Sequence, residues 1–230
     1  MDVENIISIE ELEKNIDILK EKISQQCEKS DRDPSEIKIL YVIKNQSIGT
    51  ILNLLQLGVK HLGENRLQEL EKHQKELNAK DINIENLEWN FIGRIQKNKL
   101  GKIIQRSQVI QSVDKISTLQ YISQSELKPK LYIQISVDED SGRGGVSFID
   151  AEKLLRSASD LGLTVEGVML VPPVEQNPKI CFEMLKEFAD IHGISEISMG
   201  MTNDYKHAIE CGTSLIRIGS GVFKGIKDVL

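Results

Sequence analysis

Lys44 closes the stretch "IKILYVIKNQS" (37–47), in which the strand-favouring residues Ile39 to Ile43 give way to an amine and then a polar turn. An amine at the edge of an apolar strand is partly stripped of water, which disfavours its charged form and frees a lone pair for attack on a carbonyl carbon. Such a lysine forms Schiff bases. The same placement also suits a lysine whose stem packs on the strand while its head reaches water, so other residues must decide.

Two later segments bear on that choice. "SMGMTND" (198–204) and "RIGSGVFKG" (217–225) place glycines and small hydroxyls directly after apolar runs. Gly219 and Gly221 permit close backbone approach, and the hydroxyls of Ser198 and Ser220 add donors, a composition suited to gripping a phosphate, although ordinary turns use it too. Arg217 stands two residues before Gly219 and therefore on the same strand face. Its guanidinium is always charged and costly to bury alone, so it needs either a ligand atom or a carboxylate, with Glu64 and Asp114 as candidates for an ion pair across the fold. "SGRGGV" (141–146) lacks the G-x-G-x-x-G spacing and reads mainly as a mobile connection. "GRIQKNK" (93–99) is basic and is either a solvated helix start or a contact for an anionic ligand.

These residues need elements to hold them together. Ser8 and Glu11 form a capping box ahead of a helix with Ile9, Leu12, Ile16, Leu19 and Ile23 on one face. After it, eight short apolar runs alternate with helical stretches: "IKILYVIK", "VKHLGEN", "LEWNFIG", "SQVIQSVD", "KLYIQISV", "LTVEGVMLV", "ISEISMG" and "TSLIRIG". Pro178 can open the penultimate long helix and Gly193 can close it. Continuous apolar runs without polar alternation are what parallel strands covered by helices require. Eight of them predict a single (β/α)8 TIM barrel with an extra N-terminal helix, ahead of an open doubly wound sheet. The strand ends then bring Lys44, Glu64, Asn65, Arg94, Ser112, Asp114, Ser136, Ser198, Gly200, Arg217, Gly219 and Ser220 to one rim.

The 230 residues carry a formal net charge of −6, which argues against nucleic acid as a partner, because no broad positive field recruits phosphate backbones. No 18-residue apolar run appears and the acidic "MDVENIISIEELEK" start is unlike a signal peptide, so a cytoplasmic protein without membrane contact is expected. Three cysteines without C-x-x-C spacing and four scattered histidines suggest neither disulfides nor a metal site.

Taken together, these motifs resemble those of the pyridoxal phosphate homeostasis proteins, which are related to the N-terminal barrel domain of bacterial alanine racemase. "VIKNQS" is similar to that family's lysine segment, "HLGENRLQE" to its G-E-N motif and "WNFIGRIQKNK" to its W-x-F-I-G-x-x-Q-x-N-K motif. "IQSVD", "VEGVMLVPP" and "ISMGMTNDYKHAIECGTSLIRIGSGVFKG" match its later blocks in order, so that 1–230 is expected to be one such domain. The chain departs from the family at Ile43, at Asn45 and Gln46, and at Arg94, where many relatives carry histidine.

The resemblance implies that Lys44 carries pyridoxal 5′-phosphate as an internal aldimine. It also implies that Ser198, Gly219 and Ser220 hold the phosphate, that Arg217 faces the pyridine nitrogen and that Asn65 lies beside the ring. An arginine there disfavours protonation of the ring and weakens it as an electron sink, and only eleven residues follow Gly219, too few for a second domain to supply an opposing base. The expectation is a monomeric or weakly dimeric carrier serving vitamin B6 homeostasis with little or no turnover, with cofactor-dependent apoenzymes as possible recipients. A pyridoxal-phosphate-dependent amino acid racemase and a Schiff-base aldolase acting on a phosphosugar are the alternatives.

Overall fold

The structure, a computed structural model, describes residues 6–138 and 143–225. Eight parallel strands form a closed barrel in sequence order: β1 (Lys38–Val42), β2 (His61–Glu64), β3 (Glu88–Phe91), β4 (Val109–Val113), β5 (Lys130–Ile135), β6 (Gly167–Leu170), β7 (Glu196–Ser198) and β8 (Leu215–Ile218). Pairing of Lys38 with Leu215 through Tyr41 with Ile218 closes the ring. The expected barrel is present, and its strands are apolar for the reason anticipated: each is covered on both faces, and all five residues of β4 are buried.

Helix α1 (Ile9–Lys29) precedes the first strand, capped by Ser8 Oγ, which accepts from Glu11 N at 3.2 Å. It buries Leu12, Ile16, Leu19 and Ile23. The connecting helices are α2 (Ile48–Gln56), α3 (Leu67–Asn78), α4 (Leu100–Arg106), α5 (Ile116–Gln124), α6 (Phe148–Asp160), α7 (Pro178–Ile191) and α8 (Tyr205–Glu210), followed by the single turn α9 (Ser220–Phe223). Pro178 occupies the first turn of α7, and Gly193 follows it at φ +65°, as their types predict. Asn15 Nδ2 of α1 donates to Val222 O at 2.8 Å, tying the leading helix to the last turn of the barrel.

Two details differ from the sequence reading. The helix expected from Lys97 begins as a 3₁₀ turn, Lys97–Lys99, before α4 proper. The loop after β5 is fastened where it is described. Gly144 and Gly145 adopt φ +75° and +98°, Ser136 N donates to Val146 O at 2.8 Å, and Val146 N donates to Gln134 O at 3.0 Å. Ser141 and Gly142, part of the expected mobile connection, lie outside the described residues. Among the described residues no helix is long and apolar enough to cross a membrane.

Candidate functional site

β1 stops at Val42, Ile43 is fully buried, and Lys44 begins a turn. Asn45 takes the left-handed conformation (φ +61°), which asparagine tolerates better than most side chains, and Gln46 N donates to Ile43 O at 3.0 Å. Ser47 then caps α2 by accepting from Thr50 N. The partial desolvation expected for Lys44 is not found: the residue is exposed, because the strand ends two positions before it and the turn carries it clear of the sheet. Its Nζ has no hydrogen-bond or ion-pair partner among the described residues.

β8 neighbours β1, so the turn that follows β8 lies against the end of the lysine strand. A Cβ on Gly219 would sit 3.3 Å from Val42 O, a separation that only glycine keeps comfortable. Ser220 is exposed beyond it and its Oγ lies 3.2 Å from Thr202 Oγ1. Gly221 N donates to the same Thr202 oxygen at 3.1 Å. Thr202 therefore joins the turns after β7 and β8, a role the sequence reading missed. Its signal was the second hydroxyl of "SMGMTND". Asp204 completes that turn by accepting from Met201 N at 2.5 Å, and its carboxyl is pushed above the usual range by burial.

Arg217 is 4% exposed and lies inside the barrel. Nη1 donates to both Ser198 O and Ser198 Oγ at 2.7 Å, and Nη2 donates to Leu170 O at 2.8 Å. Neither Glu64 nor Asp114 pairs with it. Its acceptors are the Ser198 hydroxyl and the carbonyls at the ends of β6 and β7, and burial lowers its pKa to about 10 against the opposing pull of Asp204. Nε–H and one Nη2 N–H have no acceptor among the described residues, so the guanidinium keeps donors for a ligand. Ser198 itself is fully buried, and its single proton goes to Gln111 Oε1 at 2.7 Å. It is brought to Arg217 and not to the half-buried Thr202 and exposed Ser220 hydroxyls.

The remaining rim candidates divide. Asn65 is half-buried after β2, with its N–H donating to Glu64 Oε2 at 3.1 Å. Its carbonyl sits so close to Gly93 that a Cβ there would fall 1.9 Å away. Glu64 leaves the rim: its side chain turns toward α3, where Oε1 lies 3.2 Å from His73 Nδ1, both groups being essentially inaccessible. Ser112 is also buried, donating to Gly93 O at 2.6 Å. Arg94 is exposed, Ser136 Oγ donates to Asp138, and burial raises the pKa of Asp114 despite nearby Lys115 and Arg94.

The chain as a whole has known counterparts. Residues 7–226 match the family model for the N-terminal domain of alanine racemase. The pyridoxal phosphate homeostasis protein of Aquifex aeolicus is 31% identical over 217 residues, covering 88% of this chain and 93% of its own. That of Haemophilus influenzae is 28% identical over 227 residues, covering 92% and 94%. PipY of Synechococcus elongatus PCC7942, 26% identical, covers 87% of this chain and 99% of its own, with TM-scores of 0.76 when solved without PLP and 0.72 with PLP bound. The chain thus belongs to the alanine racemase N-terminal domain family, and within it to the pyridoxal phosphate homeostasis proteins.

Proposed function

We propose that this protein binds pyridoxal 5′-phosphate covalently through Lys44 and serves intracellular vitamin B6 homeostasis as a carrier with little or no turnover. The observation that carries this reading is the adjacency of β1 and β8. It puts an exposed, unpartnered amine, a side-chain-free position at Gly219 and a buried arginine with spare donors at the ends of two neighbouring strands. When bound, the cofactor supplies an aldehyde conjugated to an electron-withdrawing ring.

Lys44 Nζ, exposed and without a partner among the described residues, would be the amine that meets that aldehyde. Gly219 and Ser220 hold the phosphate, with Thr202 fixing their turn. Arg217 would offer its uncommitted N–H groups to the ring nitrogen, and Asn65 would lie beside the ring. Ser198, whose proton is engaged by Gln111, contributes by seating Arg217. A cation beside the ring nitrogen keeps it unprotonated and limits carbanion chemistry, which favours carriage over racemisation. The names of the relatives and the PLP bound to PipY support the cofactor's identity.

Borohydride reduction of protein incubated with the cofactor, followed by peptide mass mapping, tests this. A phosphopyridoxyl label on Lys44 that disappears in Lys44→Ala is expected; a label on another lysine, or none, overturns the assignment.

A further inference from the structure

Behind Arg217 the barrel interior holds a chain of side-chain hydrogen bonds that all point one way. Arg217 Nη1 donates to Ser198 Oγ, Ser198 Oγ to Gln111 Oε1, and Gln111 Nε2 to Asn90 Oδ1, each at 2.7 Å. Asn90 Nδ2 then donates to Glu88 Oε1 at 3.2 Å, and that oxygen lies 3.1 Å from His61 Nδ1. The links come from β8, β7, β4 and β3 in turn, and Arg217, Ser198, Gln111 and Asn90 are all at most 4% exposed.

The two ends dictate the direction. A guanidinium only donates, so Ser198 must receive from it and pass its own proton onward. Gln111 is thereby forced to present Oε1 to Ser198 and Nε2 to Asn90. Asn90 in turn must face an ionised carboxylate with its amide nitrogen. Glu88 is such a group, held down to about 2 chiefly by its hydrogen bond with His61. Parallel bonds of this kind polarise one another in a low-dielectric interior, and none of the four buried members can turn over without leaving a neighbour unpaired.

We propose that Gln111 is a positioning residue. Through Ser198 it holds the Arg217 guanidinium in the one setting that leaves Nε–H and an Nη2 N–H free for a ligand acceptor. The consequence for pyridoxal phosphate rests on the carrier reading above; the consequence for the arginine does not. Gln111 has no contact with the ligand itself in this scheme.

The unliganded protein gives the first test, by side-chain NMR of the arginine guanidinium groups, with Arg217 assigned from Arg217→Met. In Gln111→Leu the Arg217 N–H groups should exchange with water about tenfold faster. Unchanged exchange overturns the proposal whether or not the cofactor binds. A second test is a double-mutant cycle on the dissociation constant for pyridoxal 5′-phosphate. Gln111→Leu should weaken binding about fivefold in the wild-type background and less than about twofold in Arg217→Met. Equal effects in the two backgrounds overturn it. If Gln111→Leu does not fold, Ser198→Ala in the same cycle should give the same non-additivity, and additivity there overturns the proposal. Failure of the carrier reading would instead appear as an unlabelled Lys44 with the exchange result intact.

Discussion

Gly219 has a negative φ of −118°, and its missing side chain matters through space. A methyl group there would crowd Val42 O at 3.3 Å and narrow the approach between the last turn of the barrel and the lysine strand. Gly219→Ala is therefore expected to weaken pyridoxal phosphate binding about tenfold while costing less than about 1 kcal/mol of stability. Equilibrium dialysis and urea unfolding measure the two separately. The buried Glu64–His73 pair behaves in the opposite way, since it lies behind Asn65 and away from the mouth. His73→Ala removes the imidazole that lies 3.2 Å from Glu64 Oε1 and leaves a cavity beside a buried carboxyl, and a loss of about 3 kcal/mol on urea unfolding is expected.

At the scale of elements, the turns that follow the strands set the site, and they are held both by local caps and by bonds between neighbouring turns. Ser47 caps α2 just beyond the Lys44 turn, and Ser47→Ala should lower stability by about 1 kcal/mol, read from the unfolding midpoint at constant slope. Gly93 is less forgiving. Its Cβ would lie 1.9 Å from Asn65 O and 2.5 Å from Asn65 C, both backbone atoms that cannot swing aside. Gly93→Ala must displace the turn after β2 or the one after β3, and a loss of about 2 kcal/mol or more is expected, with weaker cofactor binding because Asn65 moves too.

For the molecule as a whole, the polar chain through the barrel ends on a carboxylate whose charge matters to stability. The pKa of Glu88 is held down from 4.5 to about 2, chiefly by His61 and further by Asn90, against the opposing effect of burial. A carboxyl with a depressed folded-state value binds its proton more readily when unfolded. Its contribution is fully present above about pH 4.5 and is lost as the pH falls toward about 2. Urea midpoints measured across that range should fall for the wild type and fall less steeply for Glu88→Gln, which has no such proton to gain.

How much of this was legible beforehand depended on the range of the interaction. Eight apolar runs between turn signals pointed to the barrel, because burial on both faces demands continuous hydrophobic strands and eight such units suit a closed ring better than an open sheet. Strand alternation put Arg217 in line with Gly219, and local composition marked Lys44, Gly219 and Ser220 as neighbours of strand ends. Only the tertiary structure decided what those groups meet. Arg217 finds backbone carbonyls of β6 and β7, which every residue possesses and no sequence pattern advertises. Glu64 turns outward to His73 on α3, and Lys44 emerges into solvent because β1 ends at Val42 and the turn that follows carries it clear of the sheet. Gln111 reads from the sequence as an unremarkable strand residue. Closure of the barrel sets it between two partners 21 and 87 positions away, a juxtaposition that local spacing does not encode.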